Sequence, residues 1–208
     1  MMIEQELWAQ GRRVVGLDEA GRGAWAGPVV AAAVVLPPEP DRLAVELAGV
    51  ADSKLVRPAV REKLDAAIRA IAEVGVGAVS AAEIDDIGIV PATLRAMELA
   101  LADLPHPPDY LLIDYIPRPL GNWPQQRLVR GESQSLSIAA ASIVAKVHRD
   151  RLMLAFHRTY PGYRFDQHKG YGVPLHRAAI ELWGPTPIHR RTWAPFVQLR
   201  LALPLVVD

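Results

Sequence analysis

The sequence predicts an α/β fold, on three observations. Short β-like runs alternate along the chain with amphipathic, helix-length segments, the order expected of a layered α/β domain. Acidic residues stand where those runs stop, at Asp18-Glu19, Asp114 and Glu132, and open α/β sheets place functional groups at the C-terminal ends of strands. Residues 137–146 (SIAAASIVAK) are small and apolar almost all round, which implies a helix buried on more than one side. At 208 residues the chain is long enough for one sizeable core, and residues 1–208 read as one domain.

The elements follow in order. Residues 2–10 suit a short opening helix closed by Gly11. Apolar runs at 13–18 and 28–36 predict two strands joined by a sharp turn. The prolines of residues 37–41 make a loop, because proline cannot continue a ladder. A short helix over 41–48 precedes Asp52-Ser53-Lys54, where Asp52 or Ser53 offers a helix N-cap. The next helix begins near Pro58 and runs to about Glu73, with Val60, Leu64, Ile68 and Ile71 turned inward. Residues 74–80 are β-like, and a new segment starts at Ala81. From Pro91 to about Leu104 a helix shows Leu94, Met97, Leu101 and Leu104 at helical spacing, and the prolines at 105, 107 and 108 stop it.

Residues 110–114 form a buried strand ending in Asp114, residues 117–124 a loop, and 126–129 a short strand that Glu132 closes. A long helix spans about 135–160. A loop around 162–172, a helix over 174–183 and a basic, aromatic tail complete the chain. The apolar residues 199–208 are expected to dock on the body or to form a partner contact.

Lys+Arg and Asp+Glu each number 23, so the net charge is zero and by itself says nothing about nucleic acid. A polyanion-binding surface would have to come from local clusters, which exist at Arg12-Arg13, at residues 146–151 and at His189-Arg190-Arg191. Without cysteine there is no disulfide framework and no thiolate metal site, so any metal is held by carboxylate, histidine, carbonyl or water. The first residues lack a basic region followed by an apolar core, so no signal peptide is expected. No uncharged apolar run of about 18 residues predicts a membrane span. The expected location is the cytoplasm and the expected state a monomer.

The chain is organised around residues 14–30. A strand leads into Asp18 and Glu19, and Gly21-Arg22-Gly23 follows at once. Successive strand side chains point to opposite faces, so the two acids serve one site only where the chain bends, and the glycines permit the bend. Two readings stay open: a metal site beside an anion or sugar contact, or an acidic loop with Arg22 pairing locally. Asp114 could cap a turn before Pro117, and Glu132 could be a solvated loop residue. Gathered carboxylates repel one another unless a cation compensates, and all-oxygen ligation suits Mg²⁺ or Mn²⁺. A carboxylate-held metal pair suits phosphodiester hydrolysis. The charged segment 146–151 is either a helical turn with internal ion pairs or a phosphate-facing edge.

Several blocks of this sequence resemble the ribonuclease HII family. They are Asp-Glu-Ala-Gly-Arg-Gly with Ala26-Gly27-Pro28-Val29, then Asp52-Ser53-Lys54, residues 92–97 (ATLRAM), Ile113-Asp114, residues 137–153, residues 168–172 (HKGYG) and His189-Arg190-Arg191. They fall in family order over about residues 14–193. The resemblance implies an RNase H-like fold, a mixed central sheet flanked by helices, with a C-terminal helical extension from about residue 160. It implies metal-dependent cleavage of RNA in RNA–DNA hybrids and cutting on the 5′ side of single ribonucleotides in duplex DNA, leaving 3′-hydroxyl and 5′-phosphate ends.

By position, Asp18, Glu19 and Asp114 match the family's metal-binding acids. The fourth acid, usually an aspartate after a glycine, is matched by Glu132 after Gly131, one methylene longer. Asp150 competes for that role, although its Arg-Asp-Arg setting favours a structural ion pair. Gly21, Arg22 and Gly23 match the segment that reads the 2′-hydroxyl, a group whose recognition needs close backbone approach. Tyr171 matches the tyrosine that stacks on the deoxyribose beyond the junction; without the resemblance it reads as a core tyrosine under a glycine-rich loop. Lys54, Lys146, Lys169 and Arg190 are expected phosphate contacts. His168, His176 and His189 are not assigned to metal. Tyr115 stands where the family commonly has glycine and is expected to crowd the strand end. A resolvase-like metal nuclease and a catalytically dead hybrid-binding module are the competing readings; Gly-Arg-Gly argues against the first and the four acids against the second.

Overall fold

A computed structural model describes residues 2–50, 56–194 and 196. Its centre is a five-stranded sheet of order β3-β2-β1-β4-β5, built from β1 (Val14–Ala20), β2 (Val29–Val35), β3 (Glu73–Val79), β4 (Tyr110–Asp114) and β5 (Gln125–Leu128). β1 runs antiparallel to β2 and parallel to β4, and β4 runs parallel to β5. The sheet is therefore mixed, and β1 lies at its centre.

Alternation along the strands splits the apolar residues between two faces. Val15, Leu17, Ala31, Ala33, Leu111 and Ile113 pack with Ala96, Met97 and Ala100 of α5 (Ile89–Ala102). Ala32 and Val34 pack with Leu64 and Ile68 of α3 (Pro58–Ile71), and with Ala140, Ala141, Val144 and Ala145 of α6 (Leu136–Thr159). The small residues of α6 have the expected consequence. At Gly16 of β1 a Cβ would stand 2.2 Å from the Ser137 carbonyl carbon, so only glycine admits the helix there. The N-terminus of α6 is fixed by Ser135, whose Oγ accepts from the Ile138 N–H at 3.1 Å. Buried Glu4, from α1 (Met2–Trp8), accepts from the Ser135 hydroxyl at 2.6 Å and the Ser137 N–H at 3.0 Å. A carboxylate there also complements the helix dipole.

Beyond α6 the chain folds back on the turn after β1. Tyr163, Phe165, Ala179 and Ile180 pack with Ala26 and Met153. The expected loop over 162–172 contains a one-turn 3-10 helix, Pro161–Tyr163, and α7 (Phe165–His168), and α8 spans Pro174–Trp183 as expected. The remaining helices are α2 (Pro40–Glu46) and α4 (Ala81–Ile87).

Three expectations need correction. Val60 is 46% exposed, because α3 turns Arg61, Leu64, Asp65 and Ile68 inward; the polar pair on that face is compensated by ion pairs with Asp150 and Arg69. α5 starts at Ile89 rather than Pro91, since Gly88 at φ +84° ends α4 and starts α5 in one residue. Glu132 lies not on a strand end but in a one-turn 3-10 helix, Gly131–Ser133, after Arg130 at φ 55° turns the chain. Residues 52–54 and 199–208 lie outside the described residues. Among the described residues no helix is long and apolar enough to cross a membrane.

Candidate active site

The acids converge because of strand order. Leu17 pairs with Ile113 across the parallel strands β1 and β4, so Asp18 and Asp114 are the next residues on adjoining strands. Asp18 is buried at 7% exposure. Burial first, then the charges of Glu19 and Asp114, push its carboxyl well above the usual range, and a hydrogen bond from Ser142 of α6 partly offsets them. Its Oδ1 also accepts from the Glu19 N–H at 2.7 Å. Glu19 pairs with Arg22 at 3.2 Å, so local pairing by Arg22 is present beside the acid cluster. Asp114 Oδ1 accepts from the Gly131 N–H at 2.9 Å, which ties the turn carrying half-buried Glu132 to the end of β4. Tyr115 does not crowd that end; the chain leaves the strand after Asp114 and the ring is 51% exposed.

Among the described residues no three acids or histidines stand ready-assembled as metal ligands. The donor set nevertheless fits a hard divalent cation: it is all carboxylate, and its most buried member carries the electrostatic cost that a cation removes.

The Gly-Arg-Gly loop is held from beneath. Gly21 sits at φ +94°, and a Cβ on it would lie 2.0 Å from Arg149 Nε. Arg149 is fully buried and donates to the carbonyls of Pro28, Ala26 and Lys169 at 3.0, 3.1 and 3.0 Å. Arg190, expected to meet phosphate, is also fully buried. It donates to the carbonyls of Arg22 and Gly21, each at 2.7 Å, and of Gly27 at 3.0 Å. A guanidinium so enclosed does not face a duplex.

Half-buried Tyr171 lies against two cations, Arg149 at 5.3 Å and Lys146 at 5.7 Å from its ring centre. Lys146 pairs with Asp150 at 2.7 Å, and Asp150 also meets Arg61 at 3.3 Å. The charges of residues 146–151 thus pair once within the segment and otherwise with α3, and Asp150 sits in the ion-pair setting expected of it. Burial lowers the proton affinity of Lys146 and of Lys169; Lys169 Nζ donates to the Asp166 carbonyl. Lys54 lies outside the described residues.

Two of the three histidines form a hydrogen-bonded relay. The Thr186 N–H donates to His189 Nδ1 at 2.8 Å, so His189 carries its proton on Nε2 and donates to His176 Nε2 at 3.0 Å. His176 Nδ1 then donates to the Tyr171 carbonyl at 3.0 Å. His168 stacks on His176, with ring centres 4.5 Å apart. Burial is the main reason that His176 is pushed down to about 4 and His189 to about 3. Sequence reasoning missed the buried roles of Arg149, Arg190 and Ser142. Helical spacing was the one available signal for Arg149, which stands four residues after buried Ala145 and four before buried Met153; nothing local marks Arg190.

The family model for ribonuclease HII matches residues 15–196. The chain belongs to the ribonuclease HII family. Ribonuclease HII of Chloroflexus aggregans is 53% identical over 201 residues, covering 96% of this chain and 95% of that protein. The crystal structure of the ribonuclease H2 from Pyrococcus horikoshii matches at a TM-score of 0.77 and 27% identity, covering 91% of this chain and 97% of that one. Bst-RNase HIII in complex with Mn²⁺ matches at a TM-score of 0.68 and 19% identity, covering 92% and 70%, a likeness of fold. As a ribonuclease HII the protein is a nuclease, a hydrolase of phosphodiester bonds that acts endonucleolytically on RNA–DNA hybrids. The sheet order and flanking helices are those of the RNase H fold.

Proposed function

We propose that the protein cuts the RNA strand of hybrids and the 5′ side of single ribonucleotides in duplex DNA, with two Mg²⁺ or Mn²⁺ ions held by Asp18, Glu19, Asp114 and Glu132. The observation that carries this is the register of β1 on β4, which sets buried Asp18 beside Asp114 with Glu19 next in the chain: carboxylates packed at adjoining strand ends are stable in their charged form when a cation joins them. Bound there, the metal pair would supply an activated water and stabilise charge on the leaving oxygen.

The chain's own residues orient the substrate. Glu19 and Arg22 place a carboxylate and a guanidinium side by side at the mouth of the site. Gly21, Arg22 and Gly23 bring backbone close to the sugar, where the 2′-hydroxyl separates RNA from DNA. Tyr171 offers a ring face to the neighbouring deoxyribose, and Lys146, Lys169 and Lys54 are the proposed phosphate contacts. Arg190 supports the loop from below instead. The protein is read as a monomer that acts alone on its duplex.

A labelled DNA duplex containing one ribonucleotide, with an all-DNA control, tests this in Mg²⁺ and separately in Mn²⁺. The expected product ends at the phosphodiester 5′ of the ribonucleotide, with the control intact. Folded protein that binds the duplex but leaves it whole in either ion would establish a hybrid-binding module instead.

A further inference from the structure

Arg190 and Arg149 are both completely buried, and their hydrogen bonds among the described residues all end on backbone carbonyls. Burial disfavours the charge on both, and the charge of Arg149 further disfavours that of Arg190. Two enclosed like charges with no carboxylate in contact are costly to fold, so their placement calls for a geometric reason. The carbonyls supply one. Arg190 Nη1 and Nη2 meet the Arg22 and Gly21 oxygens at 2.7 Å, and the guanidinium rests on the Trp193 ring at 4.9 Å. In a trans peptide the C=O and the following N–H point in opposite directions. Turning the Gly21 and Arg22 carbonyls toward Arg190 therefore turns the N–H groups of Arg22 and Gly23 away from it. Among the described residues neither of those N–H groups donates to another backbone carbonyl.

We propose that Arg190 is a positioning residue for ribonucleotide recognition, whose planar fork fixes the Gly21 and Arg22 carbonyls so that the Arg22 and Gly23 N–H groups face the sugar's 2′-hydroxyl. This rests on reading Gly21-Arg22-Gly23 as the sugar-contacting loop. The fork is what matters. A lysine keeps the charge but presents it from one rotatable nitrogen that cannot hold the two carbonyls in one plane.

The test is Arg190→Lys against the parent, using the KM and kcat for a duplex with one ribonucleotide and the Ki of the same-sequence all-DNA duplex as competitor. Arg190→Lys should raise KM about tenfold, the equivalent of about 1.4 kcal/mol, and lower kcat, while the Ki stays within about twofold; the Ki/KM ratio then falls about tenfold. A folded Arg190→Lys protein with the parent's ratio overturns the inference, as does a loss of both affinities by the same factor, which is a merely structural effect. A parent ratio near one overturns the loop reading itself, and this inference with it. If Arg190→Lys does not fold, amide and guanidinium exchange in the parent decides. Slow Arg190 guanidinium protons with fast Arg22 and Gly23 amides are expected; the reverse order overturns the inference.

Discussion

Asp114 Oδ1 and the Gly131 N–H are joined at 2.9 Å, and that one bond anchors the turn bearing Glu132 to the strand bearing Asp114. Glu132, the proposed fourth acid, is therefore carried on a turn that is tied to the end of β4 rather than on a strand. Glu132→Ala is expected to lower kcat at least about 100-fold with little change in Tm. Asp150→Ala should do the opposite. It removes the carboxylate shared by Arg61 and Lys146, at about 3 kcal/mol of stability, and leaves kcat within a few-fold. Parallel kinetics and urea unfolding of the two proteins settle the assignment; an inactive, stable Asp150→Ala protein would reverse it.

Gly16→Ala is expected to destabilise the fold by about 3 kcal/mol, the upper range for an added core methyl. The contact it creates is with backbone of α6, 2.2 Å away, which no rotamer change relieves. Because α6 also carries Ser142, the hydrogen-bond partner of Asp18, kcat should fall as well. Unchanged unfolding in guanidinium would mean that α6 can slide off β1 freely.

At Asp18 stability and activity pull apart. In protein stripped with EDTA at pH 7.5, its buried carboxylate faces Glu19 and Asp114, so Asp18→Asn removes repulsion and is expected to raise Tm. The same change should lower hydrolysis by about three orders of magnitude, the rate equivalent of the several kcal/mol that metal assistance supplies. A Tm below that of the stripped parent would show that the Ser142 bond outweighs the repulsion.

The histidine relay predicts an acid-side loss of stability. His176 and His189 are pushed down from 6.5 to about 4 and about 3, so in the window below 6.5 the unfolded chain binds protons that the folded chain refuses. Their contribution is complete above pH 6.5 and is lost as pH falls toward those folded values, at up to about 1.4 kcal/mol per pH unit for each histidine. Urea midpoints measured from pH 7.5 to 5 should decline, and His189→Gln should shallow the decline. Midpoints that are flat over this range would mean that the folded rings take up protons as readily as the unfolded ones do.

The strands and the long helices were legible because apolar periodicity reports burial directly. Asp18 and Asp114 stood out for a related reason, since each follows a buried run of strand residues. Val60 misled because α3 buries Arg61 and Asp65, polar residues that periodicity counts as solvent-facing and that ion pairs make tolerable inside. Arg190 misled in the same way. In the string His189-Arg190-Arg191 nothing distinguishes a guanidinium that meets solvent from one that meets carbonyls. Its partners at Gly21 and Arg22 lie 169 and 168 residues earlier, beyond any local pattern. The sequence put Glu132 at a strand end, whereas the turn that carries it depends on Arg130 adopting a left-handed backbone, which arginine rarely does.

Chains fold from the N-terminus as they leave the ribosome, and this one makes its Gly-Arg-Gly loop almost first. The guanidinium that holds Gly21 is made 169 residues later. Until then the Gly21 and Arg22 carbonyls lack their fork, and four of the five strands are made between Asp18 and Glu132 in the chain. A chain that stops short of residue 190 thus carries the loop without the guanidinium that holds its carbonyls.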